Sequence, residues 1–138
     1  MAAKDLFHDA VKQALQKEHW NITADPLRVK IDKVHFEIDL GADKMLAAEK
    51  GERKIAVEIK SFLSNSSLTD FHAALGQFLN YRLALQMTDI ERILYLAVPL
   101  NTFNSFFQER FIQEAVQFYQ LKLIIYDPSK EVITQWKD

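Results

Sequence analysis

The most regular alternation of apolar and polar positions lies at residues 55–60, where Ile55, Val57 and Ile59 alternate with Ala56, Glu58 and Lys60. A period of two predicts a strand, here over 54–62, with one apolar face. Its other face aims a carboxylate and an ammonium the same way, about 6.6 Å apart along the chain. Upstream, Leu6, Phe7, Ala10, Val11, Ala14 and Leu15 recur at helical spacing, which predicts a helix over 5–19 opened by Asp5. Residues 27–32 alternate as a strand begun by Pro26. Residues 35–49 read as a longer extended segment interrupted at Gly41. Turns near Asp32-Lys33 and over 50–53 make these three strands an antiparallel meander. A long helix over 68–87 follows, with Ser67 and Asp70 as its capping box and Leu68, Phe71, Leu75, Phe78, Leu79 and Leu85 on its buried side. Residues 93–98 and 121–126 are apolar on both faces, as expected of strands covered by helices. Between them, 102–120 reads as an aromatic-rich helix, and 131–136 adds a short edge strand.

The predicted order is α-β-β-β-α-β-α-β, an α/β fold with a mixed sheet and helices on both faces. The 138 residues suit one domain, and three Gly with three Pro leave little room for long loops. There is no Cys, which excludes disulfides and thiolate zinc sites. No apolar run approaches bilayer length, so a cytoplasmic location is expected. The net charge of −2 excludes a basic surface that grips nucleic acid through charge excess alone. Any nucleic-acid chemistry must therefore rest on local arrangement or on a partner.

One constellation offers such chemistry. Antiparallel pairing about the 50–53 turn sets Asp43 opposite Lys60 and Met45 opposite Glu58, so Asp43, Glu58 and Lys60 converge at one end of a hairpin. Two carboxylates at close range repel, and a divalent cation relieves the repulsion. Magnesium accepts one or two protein carboxylates together with water and phosphate oxygens. A neighbouring lysine orients the attacking water and offsets charge on the phosphorane. Asp39 shares strand parity with Asp43 and is its rival. Gln77 and Tyr81, four residues apart, face one way on the next helix. The plainer readings stand beside these: a solvated Glu-x-Lys pair, and the polar flank of an amphipathic helix.

Asp43, then Glu58-Ile59-Lys60, then Gln77-x-x-x-Tyr81, resembles the PD-(D/E)XK nuclease superfamily, with the last element similar to its RecB-like branch. Ala42-Asp43 stands where that superfamily usually has Pro-Asp. A more specific similarity runs almost end to end. HDAVKQAL (8–15), ITADPL (22–27), IDLGADK (38–44), AAEKGERKIAVEIKSF (47–62), ALGQF (74–78), RILYLAVP (92–99) and LKLIIYDPSKEVITQW (121–136) resemble the XisH family of cyanobacterial fdxN-element excision controlling factors. The resemblance implies a restriction-endonuclease-like core and a role in programmed DNA excision, beside a recombinase and a XisI-type partner. It implies Asp43 and Glu58 as ligands of Mg2+ or Mn2+, with Asp39 as the alternative to Asp43. Lys60 would be the water-orienting lysine, Gln77 its brace and Tyr81 a support. His8, on the first helix, would be a further metal ligand; the other reading of His8 is a packing residue with one satisfied nitrogen.

Three functions remain open at this stage. The first is a magnesium-dependent endonuclease acting on DNA. The second is a regulatory module that keeps the fold but binds a XisI-type protein or a recombinase. The third is a homo-oligomer built through the surplus aromatic residues of 102–120.

Overall fold

The computed structural model describes residues 3–36 and 45–138. The first helix, α1 (Ala3–Lys17), is followed by strand β1 (Asn21–Ala24), then by a small hairpin of β2 (Val29–Ile31) and β3 (Val34–Phe36). Next come β4 (Met45–Lys50) and β5 (Arg53–Ile59), helix α2 (Ser67–Thr88) and strand β6 (Arg92–Pro99). Helix α3 (Leu100–Asn104), a 3-10 turn at Phe106–Gln108 and helix α4 (Arg110–Phe118) lead to β7 (Leu123–Asp127) and β8 (Val132–Lys137).

Six strands form one mixed sheet in the order β1-β4-β5-β6-β7-β8. Its centre, β5-β6-β7, is parallel, and the outer pairs are antiparallel. Parallel strands need a crossover, and α2 supplies the one between β5 and β6. The expected mixed sheet within an α/β fold is present. Both antiparallel pairings expected of the three-strand meander are present, but in separate sheets: among the described residues β2 and β3 pair only with each other, and β4 pairs with β5 and with β1. Local alternation in 27–32 reported extended backbone correctly, but it carries no information about which sheet that backbone joins.

Both faces of the sheet are buried. On one, Val11 and Leu15 of α1 pack with Trp20, Ile55, Val57, Ile59, Tyr95, Ala97, Ile124 and Tyr126. On the other, Phe71, Ala74, Phe78 and Tyr81 of α2 pack over Ala56, Leu94, Leu96 and Val98. Each of these large apolar side chains contributes roughly 2–3 kcal/mol by leaving water. The strand at 55–59 therefore does not have one greasy face and one wet one: its Ala56-Glu58 side lies beneath α2.

Ser66, not Ser67, caps α2, accepting from the Thr69 amide at 3.1 Å. Asp70 instead takes the Ser64 amide at 3.2 Å, tightening the approach to the helix. The single helix expected over 102–120 is broken at Ser105 and Glu109. The break lets Phe106 and Phe107 fold back onto Phe62 and Phe71, with Phe103 stacked on Phe107, at ring centroids between 5.6 and 6.4 Å. Among the described residues, no helix is long and apolar enough to cross a membrane.

Candidate functional site

β5 is held on both sides, by β4 in antiparallel register and β6 in parallel register. Glu58 lies opposite Met45 on one side and Leu96 on the other, as the hairpin geometry requires. With its neighbours alternating between the two cores, Glu58 falls on the α2 side, and Lys60 follows two residues on. Glu58 is 0% exposed and Lys60 6%. Placing an ionised group in so dry a setting costs roughly several kcal/mol before compensation. Sequences that need only a sheet core put Val or Ile at such positions.

The backbone at the end of β5 is pinned. The Lys60 amide donates to the Ala97 carbonyl at 3.2 Å, prolonging the ladder with β6 by one bond. The Lys60 carbonyl accepts from the buried Tyr126 hydroxyl at 3.4 Å. Tyr126 in turn meets Phe7 of α1 edge-on at 6.2 Å, so the first helix buttresses the same point. Two residues later Phe62 has φ 55°, a left-handed conformation that costs a side-chain-bearing residue about 1 kcal/mol or more. The Phe106 and Phe107 rings hold Phe62 there, turning the chain sharply after Lys60.

On α2, Tyr81 is buried with Phe78 and Ala74. Gln77 is half-buried, and its Oε1 is sealed from solvent with no hydrogen-bond partner among the described residues. A buried acceptor left without a donor costs about 1–3 kcal/mol, so Gln77 is a poor choice for packing alone.

His8 is buried on α1, and its Nε2 lies 2.9 and 3.0 Å from the two carboxylate oxygens of Asp25. Lys12, one turn on, reaches Asp25 at 2.8 Å. Burial alone would raise the Asp25 pKa; the hydrogen bonds and charges of Lys12 and His8 outweigh it and hold the carboxyl below its ordinary value. An ionised Asp25 makes Nε2 the donor. In the neutral ring Nδ1 is then a buried acceptor, with no partner among the described residues. Asp25 was missed from sequence because it follows β1, a four-residue strand too short to register as a period.

The structure thus places Glu58 and Lys60 at one sheet end and sets Gln77 and Tyr81 on the helix covering that face. It ties His8 to Asp25. Asp39 and Asp43 lie outside the described residues. Among the described residues, no group of three His, Asp or Glu could hold a metal ion.

Comparison with known proteins defines the family. The crystal structure of an XisH family protein from Nostoc punctiforme PCC 73102 superposes with a TM-score of 0.90 at 49% identity, covering 97% of this chain and 100% of that one. A fdxN element excision controlling factor protein from Anabaena variabilis superposes equally well, TM-score 0.90, at 47% identity over 97% of this chain and 99% of its own. A search of curated proteins finds no match. The family model described as XisH protein matches residues 1–134, and the chain belongs to the XisH family.

Proposed function

We propose that the chain controls excision of a DNA element, the role carried in the name of its Anabaena variabilis relative, and that it does so by hydrolysing a DNA phosphodiester. The observation that carries the hydrolytic reading is the burial of Glu58 and Lys60 together at the end of β5, where neither serves an apolar core.

Magnesium or manganese suits this donor set. Glu58 offers one hard oxygen ligand, and the second would come from Asp43, or from Asp39, since no described group of three completes a site. Bound there, such an ion would polarise the phosphodiester and acidify a coordinated water. The protein's own groups do the rest. The Lys60 ammonium offsets charge on a non-bridging oxygen and orients the attacking water, in surroundings dry enough to strengthen that interaction. The sealed Gln77 Oε1 is an acceptor suited to bracing that ammonium, and Tyr81 fixes the helix face from which it projects. His8 Nδ1, the acceptor of the neutral ring, is a second buried lone pair available to a cation.

The test is to incubate the protein with branched, single-stranded and duplex DNA in magnesium or manganese. Cleavage that a chelator abolishes is expected. Failure to cut any substrate, together with manganese binding unchanged in Glu58→Gln, would overturn the reading.

A second reading is favoured by the net charge of −2 and by the closure of Lys60 from solvent. In it the chain is a non-catalytic module that positions a XisI-type protein or a recombinase. Saturable binding to such a partner, unaffected by Glu58→Gln, would support it.

A further inference from the structure

Nine glutamines occur in the chain, and six of them line one groove of about 1100 Å3: Gln86, Gln108, Gln113, Gln117, Gln120 and Gln135. The groove runs between the C-terminal half of α2, one side of α4 and the end of β8. It lies three strands across the sheet from Glu58, along the register Glu58–Leu96–Leu123–Lys137. Gln113 donates to Gln108, which donates to the Phe103 carbonyl. Gln86, Gln117, Gln120 and Gln135 spend their carboxamides on no side-chain bond among the described residues.

A carboxamide offers a donor and an acceptor side by side without charge. Its natural complement is another amide, and a row of them matches the alternating N–H and C=O groups of an extended main chain. The charges of the groove agree with a nearly neutral occupant. Arg82 is already committed to the Tyr119 and Gln120 carbonyls at 2.9 and 3.1 Å, and the remaining charges of the lining are Lys122 and Lys137 against Asp138, whose carboxylate accepts from the Tyr95 hydroxyl. A nucleic-acid strand would ask for a continuous cationic track and open aromatic platforms. Here Phe107 is buried and Phe103 half-buried.

A second, smaller pocket of about 160 Å3 adjoins the groove and shares Arg82, Gln86, Gln120 and Lys122 with it. Its apolar side is made by Phe78, Leu85, Ile90, Ile93 and Leu94, with Arg92 beside the four shared polar residues. Ile90, 75% exposed, stands at its rim. A cavity of about 150 Å3 holds a benzene ring, so this one takes a single aromatic or branched side chain.

We propose that the groove is a docking site for an extended segment of a partner polypeptide, its main-chain amides bonded to the glutamines and one Leu- or Phe-sized side chain seated in the pocket. Recognition of this kind joins main-chain hydrogen bonds for affinity to a side-chain pocket for specificity.

The experiment selects a phage-displayed library of random twelve-residue peptides on the full chain. The best sequence is then resynthesised with a fluorophore and followed by anisotropy. Selected peptides are expected to share one large apolar residue. Their affinity should fall at least tenfold with the double substitution Gln117→Ala and Gln120→Ala, and separately with Ile90→Asp. All three positions are exposed, and unchanged melting temperatures would establish that the variants fold. Should the double variant melt early, Gln135→Ala takes its place. Absence of enrichment, or peptides that bind the variants as tightly as the parent, overturns the proposal. Labelled oligothymidine that binds and is lost with the same substitutions overturns it too, in favour of a nucleic-acid groove.

Discussion

At the start of β5, Lys54 reaches Asp89 at 3.1 Å, with side chains 29% and 31% exposed. Arg92, beside Lys54 in the parallel ladder, donates to Asp89 at 2.9 Å, to Glu49 at 3.3 Å and to the Ile55 carbonyl at 3.0 Å. Burial pushes the Asp89 carboxyl up, and the Lys54 and Arg92 bonds outweigh it to leave the pKa lowered. At the finish of the same strand, Glu58 and Lys60 are almost wholly withdrawn from water. Acid and base thus occur at both ends of one strand, partly exposed at one and dry at the other. The partly exposed cluster ties β4, β5, β6 and the end of α2 together and is a structural fastening. The dry end contributes charge where an aliphatic side chain would make the better core, which is the pattern of a site kept for chemistry at the expense of stability.

The comparison breaks most visibly in activity. Lys60→Ala should lower chelator-sensitive DNA cleavage by about 10²–10³-fold, the usual loss when one electrostatic group is removed from a reacting centre. Equal rates for variant and parent would move the chemistry elsewhere. At the other end, Arg92→Met should cost about 1–3 kcal/mol in urea unfolding, since it removes the bonds of a buried guanidinium to the Ile55 carbonyl, Asp89 and Glu49. A loss under 0.5 kcal/mol would deny the cluster its fastening role. The paired substitution Glu58→Met with Lys60→Met should do the opposite, leaving stability unchanged or raising it by about 1–2 kcal/mol. A clear loss would make these charges structural after all.

The smallest effect is one of pH. Asp25 has a folded pKa below 3.8, so its contribution is complete above 3.8 and is lost as pH falls through the lower folded value. Lys12→Ala should therefore lower stability at pH 7 by less than about 1 kcal/mol and leave little difference from the parent once the pH has fallen below the folded value. A gap that persisted in acid would trace to packing of the Lys12 stem instead.

Periodicity made much of this molecule legible. Strands over 54–62, 93–98 and 121–126, the helix over 68–87, and the Glu58–Met45 register were all readable because each rests on near-neighbour geometry. The fates of β1 and of the β2-β3 hairpin were not, because they depend on partners far along the chain. The break in 102–120 was hidden for another reason. Phe103, Phe106, Phe107 and Phe111 keep helical spacing across it, while the rings of Phe106 and Phe107 serve Phe62 and Phe71 rather than a stripe. Phe111 and Phe118 remain 70% and 78% exposed, so the surplus of aromatic residues noted in sequence is real at those two positions. For the candidate site, parity placed Glu58 and Lys60 on one side of the strand. That this side is roofed by α2 follows from the parallel addition of β6, which no local pattern announces. Charge alone gives Glu52, Arg53 and Lys54 the look of a solvated turn, yet Arg53 stacks over the buried Trp20 at 5.1 Å and Lys54 is bonded to Asp89.

Phe62 gives the dry end a remote governor. Its left-handed turn comes two residues after Lys60, and the rings packed against it, Phe106 and Phe107, lie more than forty positions along the chain. Slimming either ring would let the hinge relax and loosen the chain just past Lys60 without altering a single charge.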